Sequence, residues 1–152
     1  MGTLIKETAL AMKDTEDNAL FDVVAQIGFD LSQAETAPAA DVLIDFSNVA
    51  CLPAVFSYVQ RTGAALVSGT TGYTPEQLTQ VRELGHMVPV IHSGNYSIGV
   101  AALRHLTAQA TRELPGFDVE ICETHHNQKV DAPSGTANML LDAVIESEPE
   151  PG

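Results

Sequence analysis

Over roughly the first two thirds of the chain, short apolar runs alternate with longer amphipathic stretches. Leu4, Thr8, Ala11 and Met12 share one face of a predicted helix over residues 3–13. Residues 21–29 (FDVVAQIGF), rich in Val and Ile, predict a strand, and residues 34–40, with Thr36 and Pro38, a loop. Residues 41–46 (DVLIDF) are almost continuously apolar, as a strand in a parallel sheet covered on both faces requires. A helix over 49–61 ends at Thr62-Gly63, and a short strand over 64–68 follows. Thr74-Pro75-Glu76-Gln77 offers a cap residue, then Pro at the first helical position and Gln at the third. The helix it opens closes at Gly85. A strand over 86–91 comes next, where Pro89 removes one ladder donor.

Strands alternating with helices across short connections predict a parallel α/β sheet. Its ligands should bind beyond the carboxyl ends of the strands. Two unusual loops, Gly69-Thr70-Thr71-Gly72 and Ser93-Gly94-Asn95-Tyr96-Ser97, fall at such ends. The pattern changes from Ile98. A long helix over 98–114 is apolar at Val100, Leu103, Leu106 and Ala110. Residues 117–126 alternate strictly and predict a strand, with Phe117, Val119, Ile121, Glu123 and His125 on one face. A loop over 127–133 and a helix over 134–146 complete the pattern, and the Pro-rich tail cannot extend that helix. We place a domain boundary near Tyr96, giving domains 1–96 and 97–152.

Composition narrows the function. With 45% hydrophobic and 18% charged residues the chain is an ordinary globular sequence, and no apolar run approaches membrane-spanning length. Lys6, Glu7 and Lys13 interrupt the N-terminus, so it does not read as a secretory signal. A net charge of −13 argues against nucleic acid and anionic membranes as partners. Only seven Lys and Arg are present, so an anionic ligand needs them gathered locally. Cys51 and Cys122 are too few to staple a fold. They fit a reducing cytoplasm and are expected to be small buried hydrophobes.

The densest chemistry lies in residues 120–137 (EICETHHNQKVDAPSGTA). His125 exchanges a proton near neutral pH, and Glu123, two residues before it on the same face, favours the protonated form. Lys129 supplies a permanent cation, and the turn Pro133-Ser134-Gly135-Thr136 offers backbone N–H groups at a helix N-terminus. Together they suit a small anionic substrate that must be protonated. Each residue alone has a plainer explanation, Ser134 as a helix cap for instance; their concentration in one segment favours chemistry. A metal is disfavoured, because His125 and His126 point to opposite faces of a strand and no third ligand follows at a metal spacing. At the first loop, two glycines allow close backbone approach and the hydroxyls of Thr70 and Thr71 can reach a ribose or amide. Such a turn is usually just a turn. At the second, Asn95 either fixes a cofactor carboxamide or caps the helix at Ile98.

The segment Glu120–Ala137 resembles the motif of the dihydrodipicolinate reductases: Glu, aliphatic, any, Glu, any, His-His, two variable, Lys, any, Asp-Ala-Pro-Ser-Gly-Thr-Ala. Every fixed position is met, and residues 41–47, 69–73 and 95–100 resemble further family blocks in the same order. The resemblance implies a Rossmann-like parallel sheet domain followed by the start of an α+β substrate and oligomerisation domain. It implies NADH- or NADPH-dependent reduction of a cyclic dicarboxylate on the diaminopimelate route to lysine, in a cytoplasmic homotetramer. By position, His125 resembles the general acid/base and Lys129 its cationic partner, while His126, Gly135 and Thr136 resemble the residues that hold substrate carboxylates. Gly69, Thr70 and Thr71, with Ser93, Gly94, Asn95 and Tyr96, resemble the nicotinamide contacts. The family begins with a strand and a glycine-rich phosphate turn ending in Met-Gly, whereas this sequence opens at Met1-Gly2 and stops soon after the helix following Thr136. The first strand and later second-domain strands are therefore expected to be missing, and a non-catalytic remnant of the family is the alternative reading. Gly28 or Asp30 falls where the ribose-binding acid would stand.

Overall fold

In the computed structural model, which describes residues 1–28, 30–127 and 132–148, the apolar run after Asp41 forms strand β1 (Val42–Asp45). Contacts divide the chain into two units, Met1–Ser93 and Gly94–Gly152. In the first, β1 pairs in parallel with β2 (Ala65–Ser68), and β2 with β3 (Val90–His92), in the order β1-β2-β3. Helix α1 (Gly2–Ala11) and a short α2 (Gln33–Thr36) both precede the sheet in sequence. The β1–β2 crossover is a short 3₁₀ turn (Val49–Cys51) and α3 (Leu52–Thr62), and the β2–β3 crossover is α4 (Pro75–Leu84).

The local signals explain these helices. Gly63 adopts the left-handed conformation (φ 74°) that ends α3. Thr74 and Gln77 close a capping box at the start of α4 through Gln77 N–H to Thr74 Oγ1 (3.3 Å) and Thr74 N–H to Gln77 Oε1 (2.9 Å). The core forms where Val55 and Val59 of α3 meet Leu66 of β2, Leu84 of α4 and Val88. A second apolar cluster joins Ala34, Ala37, Tyr58 and Ala64. Arg61 closes it, donating to the carbonyls of Ala34 and Ala37 (both 2.8 Å) while lying 5.3 Å from the Tyr58 ring centre.

Several expectations are corrected. Residues 21–28 form no strand: no described segment pairs with them in a backbone ladder, and a strand exists only as one side of a ladder. The loop expected over 34–40 begins inside α2. The last strand starts four residues later than expected, because the N–H groups of His86, Met87 and Val88 still bond to carbonyls of α4. Pro89, without an N–H, sits just before β3, and its carbonyl accepts from Leu66 N–H (2.9 Å). Among the described residues of this unit, α3 and α4 pack on one face of the sheet, where Leu43, Leu66 and Val90 join the core. Val55 and Val59 of α3 and Leu84 of α4 meet in one cluster over Leu66, so both helices lie on the same side. Val42, Ile44 and Ile91, on the other face, are 47%, 48% and 60% exposed.

In the second unit α5 (Ile98–Glu113) packs against α6 (Gly135–Ile145). Residues 117–126, expected as a strand, take no regular secondary structure and have no described partner strand despite their alternation. The cysteines differ from expectation as well: Cys51 is half-buried and Cys122 exposed, the segment carrying Cys122 having no described partner strand.

Candidate functional site

At the carboxyl ends of the three strands, polar side chains gather under the turn 69–72. Asp45, the last residue of β1, is only 6% exposed. Its Oδ2 accepts from the hydroxyls of Thr70 (2.8 Å) and Ser68 (3.4 Å). Its Oδ1 accepts from Ser47 N–H (3.2 Å) and from the Ser47 hydroxyl. Ser47 N–H also donates to Thr70 Oγ1 (3.1 Å), so the Thr70 hydroxyl is engaged as donor and acceptor. Thr70 is 2% exposed. The hydroxyl read from sequence as free to reach a ligand thus points into the protein, and Thr71 is the exposed member of the pair. Beneath the turn, His92 Nε2 lies 3.1 Å from the Thr70 carbonyl. A carbonyl only accepts, so His92 carries its proton on Nε2. The ring of Tyr73 stands 5.4 Å from that of His92. Burial pushes the Tyr73 phenol above its ordinary pKa, the nearby Asp45 carboxylate adds to this, and hydrogen bonding with Ser68 and Thr70 works the other way.

Both glycines of the turn have local reasons. A Cβ on Gly69 would meet Phe46 ring atoms at 2.2, 2.5 and 2.6 Å, so the Phe46 side chain occupies the space a larger residue needs. Gly72 has φ +85°, which L side chains rarely adopt. Sequence reasoning passed over Asp45, Ser68 and His92. The available signal was one acid and one serine at the ends of otherwise apolar runs.

In the second unit Glu123 ties the segment before it to the start of α6. Its Oε1 accepts from Ser134 N–H (2.8 Å) and its Oε2 from the Ser134 hydroxyl. Ser134, 4% exposed, caps α6 by accepting from Ala137 N–H (3.0 Å). His125 Nδ1 stands 3.8 Å from Glu123 Oε2, an electrostatic contact too long for a hydrogen bond. The His125 side chain is 39% exposed, and His126 is exposed as well. The N–H groups of Gly135 and Thr136, in the first turn of α6, lie outside the helix's own ladder. Asn95 proves not to be the cap of α5. That role falls to Ser97, which accepts from Val100 N–H (3.4 Å). Asn95 Oδ1 accepts from Ser97 N–H (2.8 Å) while its Nδ2 donates to Thr136 Oγ1 (3.0 Å). This bond joins a residue expected on the cofactor side to one expected at the substrate. Lys129 lies outside the described residues. Asp30 accepts from Ser32 N–H (3.1 Å) and the Ser32 hydroxyl (2.7 Å).

Parallel strands with a hydrogen-bonded polar turn at their carboxyl ends, and helical crossovers between them, define a Rossmann-like α/β protein. The family model described as dihydrodipicolinate reductase, N-terminus, matches residues 1–96, and that described as dihydrodipicolinate reductase, C-terminus, matches residues 99–151. The chain belongs to the dihydrodipicolinate reductase family. It is 36% identical to the 4-hydroxy-tetrahydrodipicolinate reductase of Clostridium tetani over 155 aligned residues, covering 99% of this chain and 61% of that protein. The protein of the same name from Methanosarcina barkeri is 36% identical over 168 residues, 97% of this chain and 64% of that one. The one from an Exiguobacterium strain is 43% identical over 104 residues, 68% of this chain and 42% of that one. The chain thus spans about two fifths to two thirds of the length of these relatives.

Proposed function

We propose that the protein reduces 4-hydroxy-tetrahydrodipicolinate to tetrahydrodipicolinate with NADH or NADPH, on the diaminopimelate route to lysine. The observation that supports this is the Glu123 carboxylate, which accepts from Ser134 at the start of α6 and stands 3.8 Å from His125 Nδ1. The first turn of α6 presents the N–H groups of Gly135 and Thr136 to an anion, and a helix N-terminus stabilises a carboxylate there. Thr136 is further fixed by Asn95. His125 turns Nδ1 toward Glu123, which leaves Nε2 as the atom that moves a proton to or from substrate. By the family resemblance Lys129 supplies a cation and His126 a further carboxylate contact.

The nicotinamide group, when bound, supplies the hydride. Its fit rests on the turn 69–72, fixed from below by Asp45 and His92, with Thr71 exposed on it. Gly69, Thr70, Ser93, Gly94, Asn95 and Tyr96 complete the proposed cofactor contacts, Thr70 through its backbone because its hydroxyl is spent internally. The relatives' shared name supports the same substrate. The family resemblance further supports a homotetramer in the cytoplasm.

The test is kinetic, in the protein as its gene encodes it. His125→Gln and Lys129→Ala should each lower kcat by roughly 10²–10⁴-fold, the usual yield of a positioned acid or base. Thermal stability should barely move. His126→Ala should raise KM for the dicarboxylate more than it lowers kcat. Near-normal kcat in the His125 variant removes it from the chemistry, and a kcat-dominated loss at His126 transfers the acid role there.

A further inference from the structure

We infer that Asp45 is a positioning residue that sets the pose of the cofactor-receiving turn, acting through the hydroxyl of Thr70. The inference rests on the functional reading above. Asp45 is an almost fully buried carboxylate, and among the described residues no Lys or Arg pairs with it. Burying an unpaired carboxylate is costly unless hydrogen bonds replace its water. Here the replacement comes from Ser47 N–H and the hydroxyls of Ser47, Ser68 and Thr70.

The consequences fall on the turn. A carboxylate is acceptor-only, so it fixes the direction of the Thr70 hydroxyl proton. That hydroxyl's oxygen then receives Ser47 N–H. The Asp45 backbone carbonyl also accepts from Gly69 N–H (2.8 Å), and His92 holds the Thr70 carbonyl. The turn is therefore pinned at Gly69 N–H, Thr70 Oγ1 and the Thr70 carbonyl, with Asp45 supplying the first two anchors. An asparagine could keep the shape of Asp45, but an N–H₂ group facing Thr70 would donate where the carboxylate accepts, leaving the Thr70 hydroxyl proton without its acceptor. The Thr70 side chain would lose its fixed orientation, and the backbone that receives the nicotinamide side would lose it too. A site of this kind works only when its supporting shell locks the contacting groups.

The experiment compares Asp45→Asn, Thr70→Val and Thr70→Ser with the wild type, in the protein as its gene encodes it. NADH and NADPH affinities are read by fluorescence titration, KM for each substrate by kinetics, and stability by thermal melting. Losing hydrogen bonds to a charged acceptor should weaken cofactor binding roughly ten- to a hundredfold in Asp45→Asn and Thr70→Val. KM for the dicarboxylate should stay within about twofold. Thr70→Ser keeps the hydroxyl and should bind cofactor like the wild type. If Asp45→Asn does not fold, the contrast between Thr70→Val and Thr70→Ser decides. Wild-type cofactor affinity in Thr70→Val, or equal loss of affinity for both substrates in step with lost melting temperature, would overturn the inference. Wild-type protein that binds neither NADH nor NADPH would instead refute the functional reading, and this inference with it.

Discussion

Replacing Gly69 with alanine separates two reasons for a glycine in the turn. A ligand-driven glycine keeps space for an approaching molecule, whereas a packing-driven one keeps space for a neighbour. The structure favours the neighbour, because a Cβ on Gly69 would stand 2.2 Å from Phe46 Cε1. Carbon atoms rest about 3.5–4.0 Å apart, so the ring must retreat by about 1.3 Å or more. Phe46 is only half-buried and can partly swing away, but it lies between Asp45 and Ser47, whose bonds would move with it. Overpacking of this kind costs about 1–3 kcal/mol. For a chain of this length each kcal/mol lowers the melting temperature by roughly 2–4 °C. Gly69→Ala should therefore melt several degrees below the wild type, and Phe46→Leu should recover much of that loss in the double variant. The assay is a melting series over the two single variants and the double, read as a coupling energy. Additive effects, or a Gly69→Ala variant of wild-type stability that has lost cofactor binding, would refute the packing argument.

Glu123→Ala leaves Ser134 N–H, in a residue 4% exposed, without its acceptor. It should cost about 1–3 kcal/mol in urea unfolding, with Glu123→Gln milder because one oxygen remains. The raised pKa of Tyr73 means that the folded state holds the phenolic proton more tightly than the unfolded chain does. The stability this contributes is complete below the ordinary tyrosine value of 10.0 and is lost as pH rises through the folded value. Tyr73→Phe should accordingly flatten the alkaline limb of a stability–pH curve, and an unchanged limb would contradict the argument.

The parts legible in the sequence were those whose causes are local. The capping box at Thr74 and the left-handed Gly63 fix their helices within a few residues, whatever lies around them. The strands at Val42 and Ala65 were legible because short apolar runs between helices have few other fates. Residues 21–28 and 117–126 carry the composition or alternation of strands, but strand formation depends on a partner that no residue in the segment itself encodes. The gathering of Glu123, His125 and Ser134 was visible because one short segment holds all three. The inward turn of the Thr70 hydroxyl was not. It depends on Asp45, separated by 25 positions in sequence and adjacent only once β1 and β2 pair.

The apolar side chains exposed on one face of the sheet bear on how the molecules behave toward one another in solution. Val42, Ile44 and Ile91 lie exposed on that face, a surface that attracts its like. Opposing this attraction is a net charge of −13, which drives approaching copies apart. The balance turns on ionic strength, since the screening length shrinks from about 30 Å at 0.01 M salt to about 3 Å at 1 M. Dilute buffer should keep the particles dispersed. Concentrated salt should mute the repulsion, strengthen the apolar attraction and bring on reversible clustering, visible as rising light scattering. Placing Lys at Ile44 should suppress that clustering although it lowers the net negative charge, because the contact surface itself would have become polar.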